Sequence, residues 1–158
     1  MAGPIAERRP TPRIQGAFLS GTATFGDWMV WSPGNTLTDE NWTVQQAPHQ
    51  NTDWVQGAFA FAGILSRTRQ NELLQAGETV NLVTEGYCKR ANIIGMAFAG
   101  FGYPLGIGND YTEKGVGHPV QTVGGLYLDS IPLATAVEAY TTPGEEGGVA
   151  CLVNRKGA

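Results

Sequence analysis

This sequence of 158 residues is poor in charge and in the side chains that most often bind metals. Asp, Glu, Lys and Arg make up 15% of it, and it contains two histidines and two cysteines. Ordinary soluble domains carry about 25% charged residues. The formal net charge of −4 has the wrong sign for a nucleic-acid-binding protein, because phosphate binding needs a basic face. We therefore expect no direct nucleic-acid partner.

Long apolar runs are also absent. No window approaches the roughly 18 uninterrupted apolar residues of a membrane-spanning helix. The first 13 residues contain prolines and arginines and are not followed by an apolar stretch of signal-peptide length. These absences predict neither a membrane span nor export by the general secretory route.

Motifs for catalysis and metal binding are missing as well. His49 and His118 lie far apart and belong to no His-x-His or Cys-x-x-Cys pair. No G-x-S-x-G nucleophile elbow occurs. The adjacent carboxylates at 39–40 and 145–146 fall in polar loops, where solvated charge is the ordinary explanation. We expect no enzymatic activity, no metal and no cofactor.

The two cysteines, Cys88 and Cys151, are expected to be unpaired and buried, as is usual for two thiols in a chain of this size. Cys88 precedes Lys89 and Arg90, so it is the only thiol whose neighbours favour a lowered pKa. A catalytic role for Cys88 is the alternative to simple packing, and packing is the usual role of a cysteine after a strand.

Glycine, in contrast, is abundant, with 22 residues, about twice its ordinary share. Apolar and polar residues alternate within Gln75–Tyr87, and Glu85–Gly86 is a turn signal, which predicts one short strand that ends there. The neighbouring segments 59–65 and 92–102 are apolar, interrupted by glycine, and too short for comfortable helices. We predict a packed stack of strands at the centre of the protein.

Further strands and one helix are predicted elsewhere. The strand candidates are residues 14–21, 22–31, a short segment after Trp42, 122–129, 131–140 and 149–154. The best helical candidate, residues 66–75, is only about two turns long, and residues 102–119 form a long glycine-rich loop. Many short strands between regular turn signals predict an all-β fold, a β-sandwich or barrel with at most one short helix.

The N-terminus forms a region of its own. Residues 1–13 contain three prolines and the arginines Arg8, Arg9 and Arg13, a mixture that cannot build a helix or join a central strand. We predict an extended N-terminal arm over residues 1–13, followed by a single β-sandwich domain over residues 14–158. Such an arm is either a solvated tail or a segment that becomes ordered when it docks on a partner.

All four tryptophans lie in the first third of the chain, at Trp28, Trp31, Trp42 and Trp54. Trp28 and Val30 alternate with Met29 and Trp31, so both faces of that strand are expected to be covered. Tryptophan is frequent in cores and interfaces, and a cluster of tryptophans can also stack on sugar rings. A carbohydrate-binding module that uses Trp31, Trp42 or Trp54 is therefore an alternative function.

Three segments resemble the small capsid decoration, or cement, proteins of tailed bacteriophages: FAFAGILSR (Phe59–Arg67), QAGETVNLVTEGYCKR (Gln75–Arg90) and GGLYLDS (Gly124–Ser130). The resemblance covers roughly residues 55–130 and includes no catalytic or ligand motif. It implies a β-sandwich, of which the jelly roll is one form. It also implies a structural protein that binds the outside of an assembled capsid and bridges coat subunits against internal DNA pressure.

The same resemblance implies the partners and the location of the protein. The partners are the major capsid protein and further copies of the chain itself, as a dimer or trimer. The location is the capsid exterior of the virion, after synthesis in the host cytoplasm. Arg8, Arg9 and Arg13 are the candidate residues for docking to an acidic coat surface. No catalytic residue, cofactor or metal is implied.

Overall fold

The computed structural model describes residues 11–36, 38, 41–47, 60–66, 73–107, 114–120, 122–123, 126–127, 132–142 and 147–154. These residues form strands and connections and contain no helix, which confirms the all-β prediction. The strands are β1 (Arg13–Leu19), β2 (Ala23–Thr24), β3 (Trp28–Trp31), β4 (Thr43–Gln46), β5 (Ala60–Ser66), β6 (Leu73–Leu74), β7 (Thr79–Ile93), β8 (Pro104–Gly106), β9 (His118–Pro119), β10 (Thr122–Val123), β11 (Leu126–Tyr127), β12 (Ala134–Ala136) and β13 (Gly147–Val153).

Nine of the strands form one sheet in the order β1-β4-β3-β5-β7-β13-β12-β8-β9. Because β1 also pairs with β7, the first five strands of that order close into a ring. β1 and β4 run parallel, and the other neighbours in the sheet run antiparallel. The first half of β7 belongs to the ring, and its second half pairs with β13 and begins the remaining part of the sheet.

Two hydrophobic cores lie on opposite faces of the shared strands. Met29, Leu65 and Leu82 belong to a buried cluster that receives side chains from all five strands of the ring. Trp28 and Val30 belong to the other cluster, which contains residues of β7, β8, β12 and β13. The prediction that both faces of β3 are covered is confirmed. The ring forms one layer and β8, β12 and β13 form the other, and the two layers pack over the core that contains Trp28, as in a sandwich.

The turn predicted at Glu85–Gly86 is wrong, because β7 continues through it to Ile93. Gly86 has a φ of 89° and still pairs with Val153 on β13. A β-carbon at Gly86 would lie 2.6 Å from the carbonyl oxygen of Thr11. Glycine is therefore used here for a positive φ and a close backbone approach within a strand, and the chain does not reverse.

Two other sequence predictions are corrected at least in part. In the helical candidate, Ser66 ends β5 and Leu73–Leu74 pair with β2, while residues 67–72 lie outside the described part of the chain. Leu74 is buried in the core of the ring, and pairing with β2 places it there. The predicted loop at 102–119 contains β8 and β9, which pair with each other.

The C-terminal strand predictions also change. Within residues 122–129 the structure has two short strands, β10 and β11, which pair with each other. Within residues 131–140 only Ala134–Ala136 form a strand. Of the predicted arm, residues 1–10 lie outside the described part of the chain, and Arg13 is the first residue of β1.

Candidate docking groove

A groove of about 600 Å³ lies where the start of β1 approaches the second half of β7. We call it the β1–β7 groove. Its lining combines apolar side chains with two cationic ones: Pro12, Ile14, Phe25, Val83, Lys89 and Arg90. Ile14 is 50% exposed, so the apolar surface is open to contact from outside.

Contacts along its whole side chain hold Arg90 in place at this groove. Its Nε donates a hydrogen bond of 3.0 Å to Oδ1 of Asn92. Its guanidinium carbon lies 5.6 Å from the centre of the Phe25 ring, within the range of a cation–π contact. Its stem passes over two glycines, because an added β-carbon would lie 2.7 Å from Arg90 Cγ at Gly148 and 3.2 Å from it at Gly26. These neighbouring residues of the same chain therefore fix the orientation of Arg90.

Asn92 is fixed in turn by the buried carboxylate of Asp27. Nδ2 of Asn92 donates to Oδ1 of Asp27 at 2.9 Å and to the carbonyl oxygen of Phe25 at 3.1 Å. Asp27 also accepts hydrogen bonds from the backbone N–H and hydroxyl of Thr24 and from the amide of Gln46. Burial raises the pKa of Asp27 above its ordinary value of 3.8, and the hydrogen bonds oppose that rise.

The positive charge at the groove has no adjacent carboxylate partner in the part of the chain that is described. The one ion pair there joins Nε of Arg13 to Oε2 of Glu85 at 3.6 Å. Lys89 is exposed and Arg90 is half-buried. The amide of Asn92 separates Arg90 from the Asp27 carboxylate. The groove thus offers one fixed and one exposed cation beside apolar surface.

The three predicted docking arginines are only partly placed. Arg8 and Arg9 lie outside the described residues. Arg13 is next to Pro12 and Ile14 in the chain, both of which line the groove, and its side chain is 80% exposed. Lys89 and Arg90 were not among the predicted docking residues. Their adjacency to Cys88 was visible, but their place in a groove depends on the pairing of β1 with β7.

Cys88 also lines the groove, and it lies opposite Cys151 on β13. Both cysteines are free and buried. A hydrogen bond with the Cys151 thiol lowers the pKa of Cys88, and the same contact together with burial raises the pKa of Cys151. The cause of the lowered pKa of Cys88 is thus its cross-strand partner, whereas the sequence suggested its neighbours Lys89 and Arg90.

Trp31 and Trp42 form a second, smaller groove of about 320 Å³ together with Gln15 and Asn41. The two indole rings pack edge to face, with centroids 5.6 Å apart and an interplanar angle of 75°. Trp42 is 40% exposed, and its Nε1 donates to a backbone carbonyl at 2.8 Å. Trp54, the third candidate for sugar stacking, lies outside the described residues.

The described residues show no sign of a metal site or of a membrane-spanning helix. The described residues contain no group of three or more His, Cys, Asp or Glu side chains placed to hold a metal ion. They also contain no helix with the length and apolarity needed to cross a bilayer. No protein-family model and no curated protein matches the sequence. Function is therefore inferred from the grooves of this chain itself.

Proposed function

We propose that this is a structural virion protein, without enzymatic activity, that binds the outer surface of an assembled phage capsid and stabilises it by bridging coat subunits. The observation that supports this best is the β1–β7 groove. It combines exposed apolar surface with Lys89 and Arg90, whose charges have no adjacent carboxylate in the described part of the chain. It also lies where the predicted arm enters the sheet. Apolar surface bordered by polar and charged groups is typical of a protein-binding surface.

Exposed apolar side chains outside the groove support a bridging role. Phe101 is 78% exposed and Met96 is 38% exposed, both in the connection between β7 and β8. A protein that bridges subunits needs at least two contact surfaces, and exposed apolar patches are frequent at such contacts. We assign the groove to the coat protein and the surface around Phe101 to association with another copy of the chain, as a dimer or trimer.

The proposed mechanism is linkage between binding and shell stability. A protein that binds the assembled shell and not its separated subunits stabilises the shell by mass action. Each site contributes about 2.7 kcal/mol when the free protein is at 100 times its dissociation constant. This mechanism needs no cofactor, metal or chemical step. It places the protein on the capsid exterior, where its partner is the major capsid protein.

The test uses undecorated, expanded shells of the coat protein encoded in the same genome. We expect the purified chain to co-sediment with them in a fixed ratio and to raise their melting temperature. A chain without residues 1–10 should fold normally and bind at least tenfold more weakly, since it lacks Arg8 and Arg9. The deletion stops at residue 10 because Thr11 contacts Gly86 and Arg13 begins β1. Absence of binding by the complete chain would refute the proposal, and full binding by the truncated chain would remove only the arm from it.

The second candidate function is carbohydrate binding at Trp31 and Trp42. The observation in its favour is the combination of an exposed indole with the amides of Gln15 and Asn41 in one groove. Sugar binding there would shift tryptophan fluorescence, and the shift would be lost in Trp42→Ala. If no member of a broad glycan panel shifts the fluorescence of the unmodified chain, this candidate is abandoned.

A further inference from the structure

We propose that Arg90 anchors a carboxylate-binding site in the β1–β7 groove, and that the carboxylate is an Asp or Glu side chain on the capsid surface. This inference rests on the proposed function, since it names the chemistry by which the coat protein is recognised. Asn92 and Asp27 are positioning residues in this site. Arg90 is the group that contacts the ligand.

The geometry leaves the terminal nitrogens of Arg90 for a ligand. Its Nε–H is used by Asn92, and in the described part of the chain no hydrogen bond satisfies the two terminal NH₂ groups. Those two groups form the end-on pair of parallel hydrogen bonds that a carboxylate accepts. The guanidinium therefore offers two parallel N–H donors, which match the two oxygens of a single carboxylate.

Preorganisation makes this arginine different from an ordinary surface arginine. A free arginine side chain loses rotamer entropy when it becomes fixed. Here Asn92, the Phe25 ring and the glycine at 148 already restrict it. A ligand that binds a preorganised side chain therefore loses less binding free energy to the ordering of that side chain.

Two buried residues, Asp27 and Asn92, hold the side chain of Arg90 in this orientation. Each is 1% exposed, and Asn92 uses its amide nitrogen on Asp27 and on the Phe25 carbonyl. Its amide oxygen is thereby turned toward Arg90. Because Asn92 lies between them, the carboxylate of Asp27 holds Arg90 in place without forming an ion pair with it.

The surroundings favour a carboxylate on a polypeptide over a phosphate. The groove has one fixed cation, Arg90, and one exposed cation, Lys89, while Ile14, Phe25 and Val83 contribute apolar walls. Phosphate sites instead gather several cations or backbone N–H groups around a doubly charged group. Apolar walls accommodate the aliphatic stem of a Glu and an apolar neighbour in the same segment. The partial burial of Arg90 strengthens its pairing with one carboxylate relative to water.

The first experiment measures the isolated, complete chain against two blocked tripeptides, acetyl-Leu-Glu-Leu-amide and acetyl-Leu-Gln-Leu-amide, and against inorganic phosphate. The readout is the shift of the backbone N–H signals of Lys89 and Asn92 in NMR titrations, which can be followed in the wild type and in Arg90→Gln alike. We expect the Glu peptide to bind at least tenfold more tightly than the Gln peptide and than phosphate, and Arg90→Gln to abolish the difference. Equal binding of the two peptides, or tighter binding of phosphate, would overturn the carboxylate site.

The second experiment measures shell binding by variants. Gly148→Ala displaces Arg90 without changing charge, because the new methyl would lie 2.8 Å from Arg90 Nε. The matched control is Gly21→Ala, which meets no atom within 4 Å and has no positive φ. Lys114→Gln, at an exposed position outside the groove lining, controls for the loss of one positive charge. We expect Arg90→Gln and Gly148→Ala to weaken shell binding at least tenfold while each variant keeps a cooperative unfolding transition well above the assay temperature, and both controls to bind normally.

The two experiments separate failure of the site from failure of the function. If the shells bind the complete chain and both groove variants equally well, the carboxylate site is wrong and the capsid function stands. If the chain distinguishes the two peptides but ignores the shells, the capsid partner is wrong and the chemistry of the site stands.

Discussion

Cys88 on β7 and Cys151 on β13 are direct cross-strand partners, and both are free thiols. Facing residues on antiparallel strands have Cα atoms about 4.5–5.5 Å apart, which lies within the range of about 4.4–6.8 Å that a disulfide spans. Cys88 lines the β1–β7 groove but is only 3% exposed, so its thiol is within reach only of an oxidant not much larger than water. The hydrogen bond that lowers the pKa of Cys88 also makes its sulfur the one expected to react first.

We predict that hydrogen peroxide converts this pair into an intramolecular disulfide. The Cys88 thiolate attacks the peroxide to form a sulfenic acid and releases hydroxide, and the Cys151 thiol then displaces water from that sulfur. The cross-link closes a loop of roughly 60 residues and should stabilise the fold by at most about 4 kcal/mol. Intact mass, thiol titration in denaturant and the melting temperature are the measurements, with Cys151→Ser as the control. Two thiols that remain titratable, or a covalent dimer, would contradict it.

Replacing Asp27 by Asn should destabilise the fold and change its pH dependence. The amide NH₂ would face donor groups, at a cost of about 1–3 kcal/mol for each donor left unsatisfied. The raised pKa of Asp27 means that its protonated form is favoured in the fold. The contribution of protonated Asp27 to the free energy of unfolding is therefore complete below pH 3.8. It is lost as the pH rises through the pKa of Asp27 in the folded state.

The measurement is urea unfolding of the wild-type chain and Asp27→Asn from pH 3 to pH 7. The advantage of the wild type in free energy of unfolding should decrease as the pH rises. An advantage that grows with pH would show that the hydrogen bonds outweigh burial and that the pKa of Asp27 is lowered.

Gly117→Ala should disrupt the larger core. An added β-carbon would lie 2.4 Å from Cε2 of Trp28, whose side chain is completely buried and whose Nε1 donates to the carbonyl oxygen of Asn92 at 2.9 Å. Overpacking and the loss of that hydrogen bond together predict a loss of about 2–4 kcal/mol. Denaturant unfolding measures it. Gly21→Ala, with open space around it, should change stability by less than about 1 kcal/mol, and an equal loss in both variants would refute the steric account.

Strands that are marked by a local pattern of apolar residues could be predicted from the sequence. The WMVW run of β3 is apolar on both sides, and both its faces are covered. The alternation that begins at Thr79 predicted the start of β7. The continuation of β7 was not predicted, because a glycine after a charged residue is typical of a turn. In the structure Gly86 instead leaves room for the backbone of Thr11. Contacts made 75 residues apart leave no mark on a local pattern.

The candidate groove could be predicted even less well. Lys89 and Arg90 are visible as a basic pair, but nothing near them in the sequence shows that Asp27 and Asn92 will orient Arg90. That network joins residues that are 65 positions apart. It exists because the connection between β2 and β3 is hydrogen-bonded to the end of β7.

The contact between residues 11–12 and β7 can be isolated with two glycines of nearly equal φ. Gly77 and Gly86 have φ values of 88° and 89°. Nothing lies within 4 Å of a β-carbon built at Gly77, whereas one at Gly86 would lie 2.6 Å from the carbonyl oxygen of Thr11. Alanine at either position meets a penalty for its positive φ, about 1 kcal/mol or more. Gly86→Ala should therefore cost more than Gly77→Ala by the energy of displacing residues 11–12, about 1–3 kcal/mol.

Removing residues 1–12 supplies the control for this prediction. In the shortened chain the excess cost of Gly86→Ala should disappear, because the groups that the new methyl would meet, Thr11 O and Pro12 Cα, are gone. Denaturant unfolding of both alanine variants in both chain lengths gives a double-mutant cycle. Its coupling energy measures the contribution of the contact to the free energy of unfolding. A coupling energy near zero would mean that residues 11–12 do not pack on β7 in solution. The sheet would then begin at Arg13, without a contact between residues 11–12 and β7.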